Sequence, residues 1–371
     1  MNSKSLSYLV LSDIHLGHRR NKTEFIIHNL REYFKDYHTQ IKKCRIIFIA
    51  GDIFDTLLTT HGDDYLKATE WITELILYCR HNKIKLRILE GTPSHDWRQA
   101  KLISQIIDKL SIDINYKYIS TLYIENMVDE GINILYVPDE YKPKASDTYK
   151  EVLELLKNNG LTQVDIAIMH GQFNYQLPLI LESSHVEEDY LSIVKHFINI
   201  GHIHTPSIYK GTILAQGSFD RLAHNEEEDK GGMLCTITPD SKSFLFLKNK
   251  RAMIFKTFNY LNTTLTQEEV IRDLDLELSK LPDNSHVRII IDKSEFLNDL
   301  KNKYSNIHFK IQSTREANTM STGEDILKDT VIESFTITKD NISELLHEEL
   351  SKYNLTSKEL TIVDEELGKV I

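Results

Sequence analysis

Five times along this chain an apolar run ends in a turn that carries aspartate, histidine or both. Tyr8-Leu9-Val10-Leu11 leads into Ser12-Asp13-Ile14-His15, and Cys44 to Ala50 leads into Gly51-Asp52. Leu86 to Leu89 leads into Gly91-Thr92-Pro93-Ser94-His95-Asp96, Asp165 to Met169 into His170, and Ile198 to Ile200 into Gly201-His202-Ile203-His204. Runs of β-branched and large aliphatic residues bounded by turn signals read as buried strands. Alternate residues leave a strand end on the same side, so Asp13 with His15, and His202 with His204, are expected to project together. Open α/β sheets carry their sites at this carboxyl edge. A single histidine after a strand is more often structural than a ligand. Five such turns in one chain point to a metal centre, and the mixed oxygen and nitrogen donors suit manganese, iron or zinc.

The spacing between the turns fits an α/β chain. Phe25, Ile26, Leu30 and Phe34 recur at helical spacing in a helix expected over 22–40. Leu66, Ala68, Trp71, Ile72, Leu75 and Ile76 do the same over 64–81. Strand, helix, strand, helix is the rhythm of parallel strands with crossover helices. Ile134 to Val137 and Thr212 to Leu214 are further expected strands. After about residue 245 the texture changes to a small α+β segment, with strands near 252–261, 286–292 and 307–312 and helices near 265–281 and 294–304. Residues 313–323 read as a linker, and 324–371 as an acidic helical tail with Ile342, Leu345, Leu346 and Leu350 on one stripe.

The length of 371 residues allows a large core plus a smaller module. No apolar run reaches the length of a membrane span, and the amino terminus does not read as a signal peptide. Cys44, Cys79 and Cys235 match no metal-ligand spacing and read as reduced core thiols in a cytoplasmic protein. The net charge of -11 argues against binding nucleic acid with the whole surface, but the charge is uneven. Residues 1–50 hold nine Lys and Arg against four Asp and Glu, a local +5 that leaves -16 for the rest. Arg19, Arg20 and Lys22 directly follow the first motif; they form either a solvated surface or a guide for a phosphodiester backbone.

The order Asp-x-His, Gly-Asp, a His-Asp turn, His and Gly-His-x-His resembles the calcineurin-like metallophosphoesterase superfamily over roughly residues 8–235. Within it the chain resembles the SbcD and MRE-eleven recombination nucleases, including phage-type members. Gly51-Asp52-Ile53-Phe54-Asp55 matches their second motif. Gly217-Ser218, Asn225-Glu226 and Asp229-Lys230-Gly231 are similar to the segment after their His-x-His.

The resemblance implies a two-sheet sandwich flanked by helices over 1–245, an α+β DNA-capping domain over 246–312 and a helical tail. It also implies two divalent metal ions, most simply Mn2+ with Mg2+ as the alternative. One would be held by Asp13, His15, Asp52 and His204. The other would be held by Asp52, His170, His202 and a residue of the 91–96 turn, with Asp52 shared. The family has Gly-Asn-His there. Taking Ser94 in the asparagine's place puts two extra residues after Gly91. His95 would assist the leaving oxygen, with Asp96 orienting its ring.

The activity implied is a manganese-dependent DNA exonuclease and endonuclease. The subunit would be a homodimer within a heterotetramer, bound to an SbcC-like coiled-coil ABC ATPase, and the tail is either a candidate docking segment for that ATPase or a loosely packed terminal helix. The rivals are a phosphoesterase for a small nucleotide or a phosphoprotein, and a metal-bound scaffold of a repair complex.

Overall fold

The computed structural model describes residues 5–178, 181–292 and 297–312. The chain divides into two compact units, Met1–Ile290 with Ser294–Ile311 and Ile291–Lys293 with Gln312–Ile371. Most of the second unit lies outside the described residues, as do the expected linker and tail.

The elements begin with β1 (Leu6–Leu11), α1 (Thr23–Asp36), α2 (His38–Ile41), β2 (Ile46–Ala50), α3 (Asp63–Asn82) and β3 (Lys85–Leu89). Next come α4 (Pro93–Asp96), α5 (Lys101–Lys109), β4 (Tyr116–Ile119), β5 (Tyr123–Met127), β6 (Ile132–Val137) and α6 (Ala145–Asn158). Then follow β7 (Val164–Gly171), α7 (Glu187–Ile193), β8 (Val194–His202), β9 (Ser207–Tyr209), β10 (Ile213–Ala215), β11 (Gly231–Ile237) and β12 (Lys242–Lys248). The last are β13 (Phe255–Asn259), α8 (Gln267–Leu278), β14 (His286–Ile290), α9 (Asn298–Lys303) and β15 (His308–Gln312).

Two six-stranded mixed sheets form, in the orders β12-β11-β1-β2-β3-β4 and β5-β6-β7-β8-β10-β9. In the first, β1 to β4 are parallel and β11 runs antiparallel to β1. In the second, β6, β7, β8 and β10 are parallel, with antiparallel β5 and β9 at the edges. This architecture is compatible with a metallophosphoesterase-like fold.

The apolar runs are continuous because both faces of each central strand are covered. In β1, Leu9 and Leu11 pack with Ile26, Leu30 and Trp71 from α1 and α3, whereas Tyr8 and Val10 pack with Tyr136 and Ile168 of the other sheet. β2 divides in the same way, with Ile47 and Ile49 toward the helices and Phe48 toward the second sheet. A third cluster, with Leu135, Ala167 and Ile198, fills the outer face of the second sheet beside Val152 of α6 and Tyr190 of α7. Each such large side chain contributes roughly 1.5–3 kcal/mol by leaving water. The three cysteines are free and buried, as a core reading of them requires.

The structure departs from the expectations in several places. The helix over 22–40 breaks at Tyr37, whose φ of -108° and ψ of 19° leave the helical region. The antiparallel strands β11 and β12 were not foreseen, nor were β4 and β5. The half-exposed faces of β4, β5 and β12 carry mixed polar and apolar residues, so no continuous apolar run marks them, whereas β11 is mostly buried and opens on Gly231-Gly232. β12 runs three residues past the boundary expected at 245, because it pairs with β11 residue for residue up to Lys248. A separate three-stranded sheet, β13-β14-β15, follows. No helix of the described residues is long and apolar enough to cross a membrane.

Candidate metal centre

The five turns converge at the carboxyl ends of β1, β2, β3, β7 and β8, but strand alternation is not what aims the first one. Asp13 and His15 lie beyond β1, in left-handed backbone with φ of 50° and 54°. They are held there by pairing with the second turn. Asp13 N donates to the Gly51 carbonyl at 3.1 Å, and Ile14 N and His15 N donate to the Asp52 carbonyl at 2.8 and 3.1 Å. Asp52 and His202 also have positive φ, 51° and 99°. Non-glycine residues in such regions are strained by on the order of 1–3 kcal/mol each, and they concentrate at functional sites. Two glycines make the close approach possible. A Cβ on Gly51, whose φ is +87°, would lie 2.1 Å from His170 Nδ1, and one on Gly91 would lie 2.1 Å from Asp52 Oδ1.

Two of the three His and Asp groupings match the expected sets, namely Asp13, His15 and His204, and Asp52, His170 and His202. In the first, His15 Nε2 and His204 Nε2 approach to 3.1 Å. His15 Nδ1 faces Asp55 Oδ1 at 3.1 Å, and His204 Nδ1 faces Glu226 Oε1 at 2.9 Å. Glu226 holds the His204 ring through Nδ1 and Asp55 lies beside His15 Nδ1, so the two Nε2 atoms face one another. Only a proton or a cation between them relieves that arrangement. In the second grouping, His170 Nδ1 donates to the Ala50 carbonyl at 2.6 Å, which turns its Nε2 toward Asp52 Oδ2 at 3.4 Å. Asp52 Oδ2 is also 3.8 Å from His15 Nε2, so this one oxygen reaches both groupings. Asp13 Oδ1 likewise lies 4.0 Å from both His170 Nε2 and His204 Nε2.

The electrostatics report the same demand for positive charge. Burial works against a charged His15, yet Asp55, Asp52 and Asp13 outweigh it and push the imidazole up to about 9. His170 is raised too, against its burial, chiefly by Asp52. Asp52 is held well below the carboxylate range despite burial, by His170 and His15. Protons on the rings here do the neutralising that a divalent cation would do. Asp13 Oδ2 is buried with no hydrogen-bond partner. Buried carboxylates need a counter-charge, so the donor set fits a metal ion.

The 91–96 turn corrects two expectations. Ser94 is exposed on α4 and does not face the donors. Thr92 takes that place: its Oγ1 lies 3.3 Å from Asp52 Oδ2, 3.4 Å from His170 Nε2 and 3.2 Å from His202 Nδ1. The two additional residues therefore follow the inward-facing residue instead of preceding it. Pro93 opens α4 at its first turn, where a proline ring is well accommodated, and so carries Ser94 outward. Asp96 does not orient the His95 ring. Its carboxylate accepts from the backbone N of Gly91 at 2.8 Å and of Asp52 and Phe54 at 3.1 Å each, stapling the third turn to the second. Burial, then Asp52 and Glu90, push Asp96 up to about 7.

His95 is oriented instead by the Asp55 carbonyl, 2.7 Å from its Nδ1. Its Nε2 is buried without a partner, and the ring lies 5.0 Å from that of His15. His15, Asp55 and His95 form the third grouping.

The segment after His204 acts on the first grouping. Lys230 is fully buried, and its Nζ donates to the His204 carbonyl at 2.9 Å and pairs with Glu226 Oε2 at 3.0 Å. Ser218 N also donates to the His204 carbonyl, at 3.1 Å. Two residues were not singled out by sequence reasoning, although a ligand was expected somewhere in the 91–96 turn. Thr92 was visible only as the neighbour of Gly91, and Asp139, after β6, follows a strand like the ligands but lacks any flanking histidine or glycine.

No protein-family profile matches this chain, and no curated protein matches it. Solved structures align at low identity. One is 11% identical with a TM-score of 0.38, covering 66% of this chain and 100% of its own. Another, TT1561 of Thermus thermophilus, is 8% identical with a TM-score of 0.35, over 66% of this chain and 100% of its own. Nothing about activity follows from likenesses at this level.

Proposed function

We propose that this chain is a manganese-dependent DNA nuclease that hydrolyses phosphodiesters with two metal ions. The observation that carries the reading is the meeting of two donor groupings at Asp52 Oδ2, with the unpartnered His95 Nε2 beside them. Asp13, His15, Asp52 and His204 would hold one ion, and Asp52, His170, His202 and the 92 position the other. Bound there, the ions would supply charge to a phosphate and acidify a water molecule. His95, with Nδ1 fixed on the Asp55 carbonyl, presents Nε2 to pass a proton to the leaving oxygen. Asp55 sets both rings, His15 through its carboxylate and His95 through its backbone.

Nucleic acid as substrate is supported by cations gathered around His224, two residues before the Glu226 that holds His204. Burial first, then Arg288, His286, Arg20 and Lys310, push the His224 imidazole down to about 4. Arg20 and Lys310 are exposed, and none of the three cations is in an ion pair among the described residues. Such unneutralised cations suit a phosphate backbone. The acidic remainder of the chain limits what it binds alone, which favours a homodimer working with an SbcC-like coiled-coil ABC ATPase.

The test is manganese titration of the full chain together with hydrolysis assays. Two ions per chain, and cleavage of duplex DNA that falls steeply with salt, are expected. Cleavage of nucleotides or phosphoproteins with DNA left intact would overturn the DNA reading. Full metal loading with no hydrolysis of any phosphoester would favour the scaffold.

A further inference from the structure

One buried carboxylate has no part in the reading above. Asp139 follows β6 through Pro138 and is almost completely buried. Its Oδ2 lies 3.1 Å from Thr92 Oγ1 and 3.2 Å from His202 Nδ1. The Thr92 hydroxyl therefore has four polar neighbours within 3.1–3.4 Å: Asp139, His202, Asp52 and His170. A hydroxyl owns a single proton. Two of those neighbours, Asp139 and Asp52, are carboxylates that only accept. One proton cannot satisfy both. Donors arranged around a common cation do meet at such separations. Ligands about 2.1 Å from an octahedral ion lie about 3.0 Å from their neighbours in the shell.

We propose that Asp139 is a direct ligand of the second metal ion and, with Thr92, completes the shell begun by Asp52, His170 and His202. The inference rests on the two-metal reading and names a donor that reading does not contain. Its chemistry is distinct from that of Thr92. A neutral hydroxyl is a weak ligand, whereas a carboxylate brings charge and hard oxygen, the donor type that manganese and magnesium prefer. Asp139 has one competing role, as acceptor of a proton on His202 Nδ1, which would occupy the ring nitrogen that faces the site. The two roles predict opposite effects of removing the carboxylate. A lost ligand weakens the second ion; a lost proton acceptor frees His202 and leaves binding unchanged or tighter.

The experiment is calorimetric titration with manganese, joined to manganese electron paramagnetic resonance, on the full wild-type chain and on Asp139→Ala, Asp139→Asn and Ser94→Ala. The expected result is two ions on the wild type and on Ser94→Ala. Asp139→Ala should lose at least tenfold in affinity for one ion with the other unchanged, and Asp139→Asn should lose less in the same direction. A folded Asp139→Ala chain, checked by circular dichroism, that binds both ions as tightly as wild type or tighter overturns the assignment. If the alanine variant does not fold, Asp139→Asn decides: weaker binding of one ion supports the ligand, and wild-type binding overturns it. A wild type that takes up fewer than two ions overturns the two-metal reading, and this assignment with it.

Discussion

The two donor groupings meet at Asp52 and are built in different ways. The first is held from outside. His15 leans on Asp55 and His204 on Glu226, and the buried Lys230 fixes the loop that carries His204. Its residues Asp13, His15 and His204 come together in the structure, with Asp52 beside them. The second grouping leans on a backbone carbonyl, that of Ala50, and is crowded by Thr92 and Asp139, which no motif announced. A ligand set with carboxylate partners behind its imidazoles is stiff and basic. A set with a hydroxyl and a carboxylate among its own donors takes its charge from within the shell. On the proposed two-metal reading, specificity for the metal would rest more on the second grouping, and retention of metal more on the first.

Removing Asp52 should erase the contrast, because its Oδ2 reaches both groupings. Asp52→Asn is expected to weaken both ions by more than roughly 100-fold, beyond what loss of an outer partner does, and to reduce hydrolysis to background. Metal analysis and a DNA cleavage assay check this. One site titrating normally in that variant would mean that the groupings do not share the residue. His95→Ala should leave the contrast intact and slow cleavage by roughly 10²–10⁴-fold, since the proposed function gives His95 to proton transfer and to neither ligand set. Measured by single-turnover rates at saturating manganese, a variant that instead loses a metal ion would make His95 a ligand with His15 and Asp55. Glu226→Gln should sharpen the contrast. The His204 ring loses its carboxylate, so affinity at the first grouping should fall by roughly 10–100-fold while the second is unmoved. Equal weakening of both ions in the same titration would show that the two are not independently supported.

Much of this was legible in the chain. The central strands could be read because each is buried on both faces, so side-chain period and burial left unbroken apolar runs. The edge strands β4, β5 and β12, half exposed, gave no such signal. Asp13, His15, Asp52, His95, His170, His202 and His204 were found because each follows a run or sits in a turn bracketed by glycine or histidine. Their coming together needed no side-chain detail. Within each sheet, parallel strands place their carboxyl ends on one edge, and the packing of the two sheets brings the edge of β1, β2 and β3 to that of β7 and β8.

What the sequence could not decide is which neighbour of a motif faces inward. Ser94 and Thr92 both follow Gly91 with a hydroxyl, and the one chosen depends on where α4 begins. Pro93 starts that helical turn and swings Ser94 to solvent. Asp96 looked like a partner of His95, but three backbone N–H groups from two turns claim its carboxylate. Asp139 follows a strand of the second sheet, 47 positions from Thr92, and only the packing of one sheet against the other brings them within 3.1 Å. Local sequence determined the donor types and the edge on which they gather. The tertiary structure alone decided which oxygens point at one another, because that depends on distances between strands that are not neighbours in the chain.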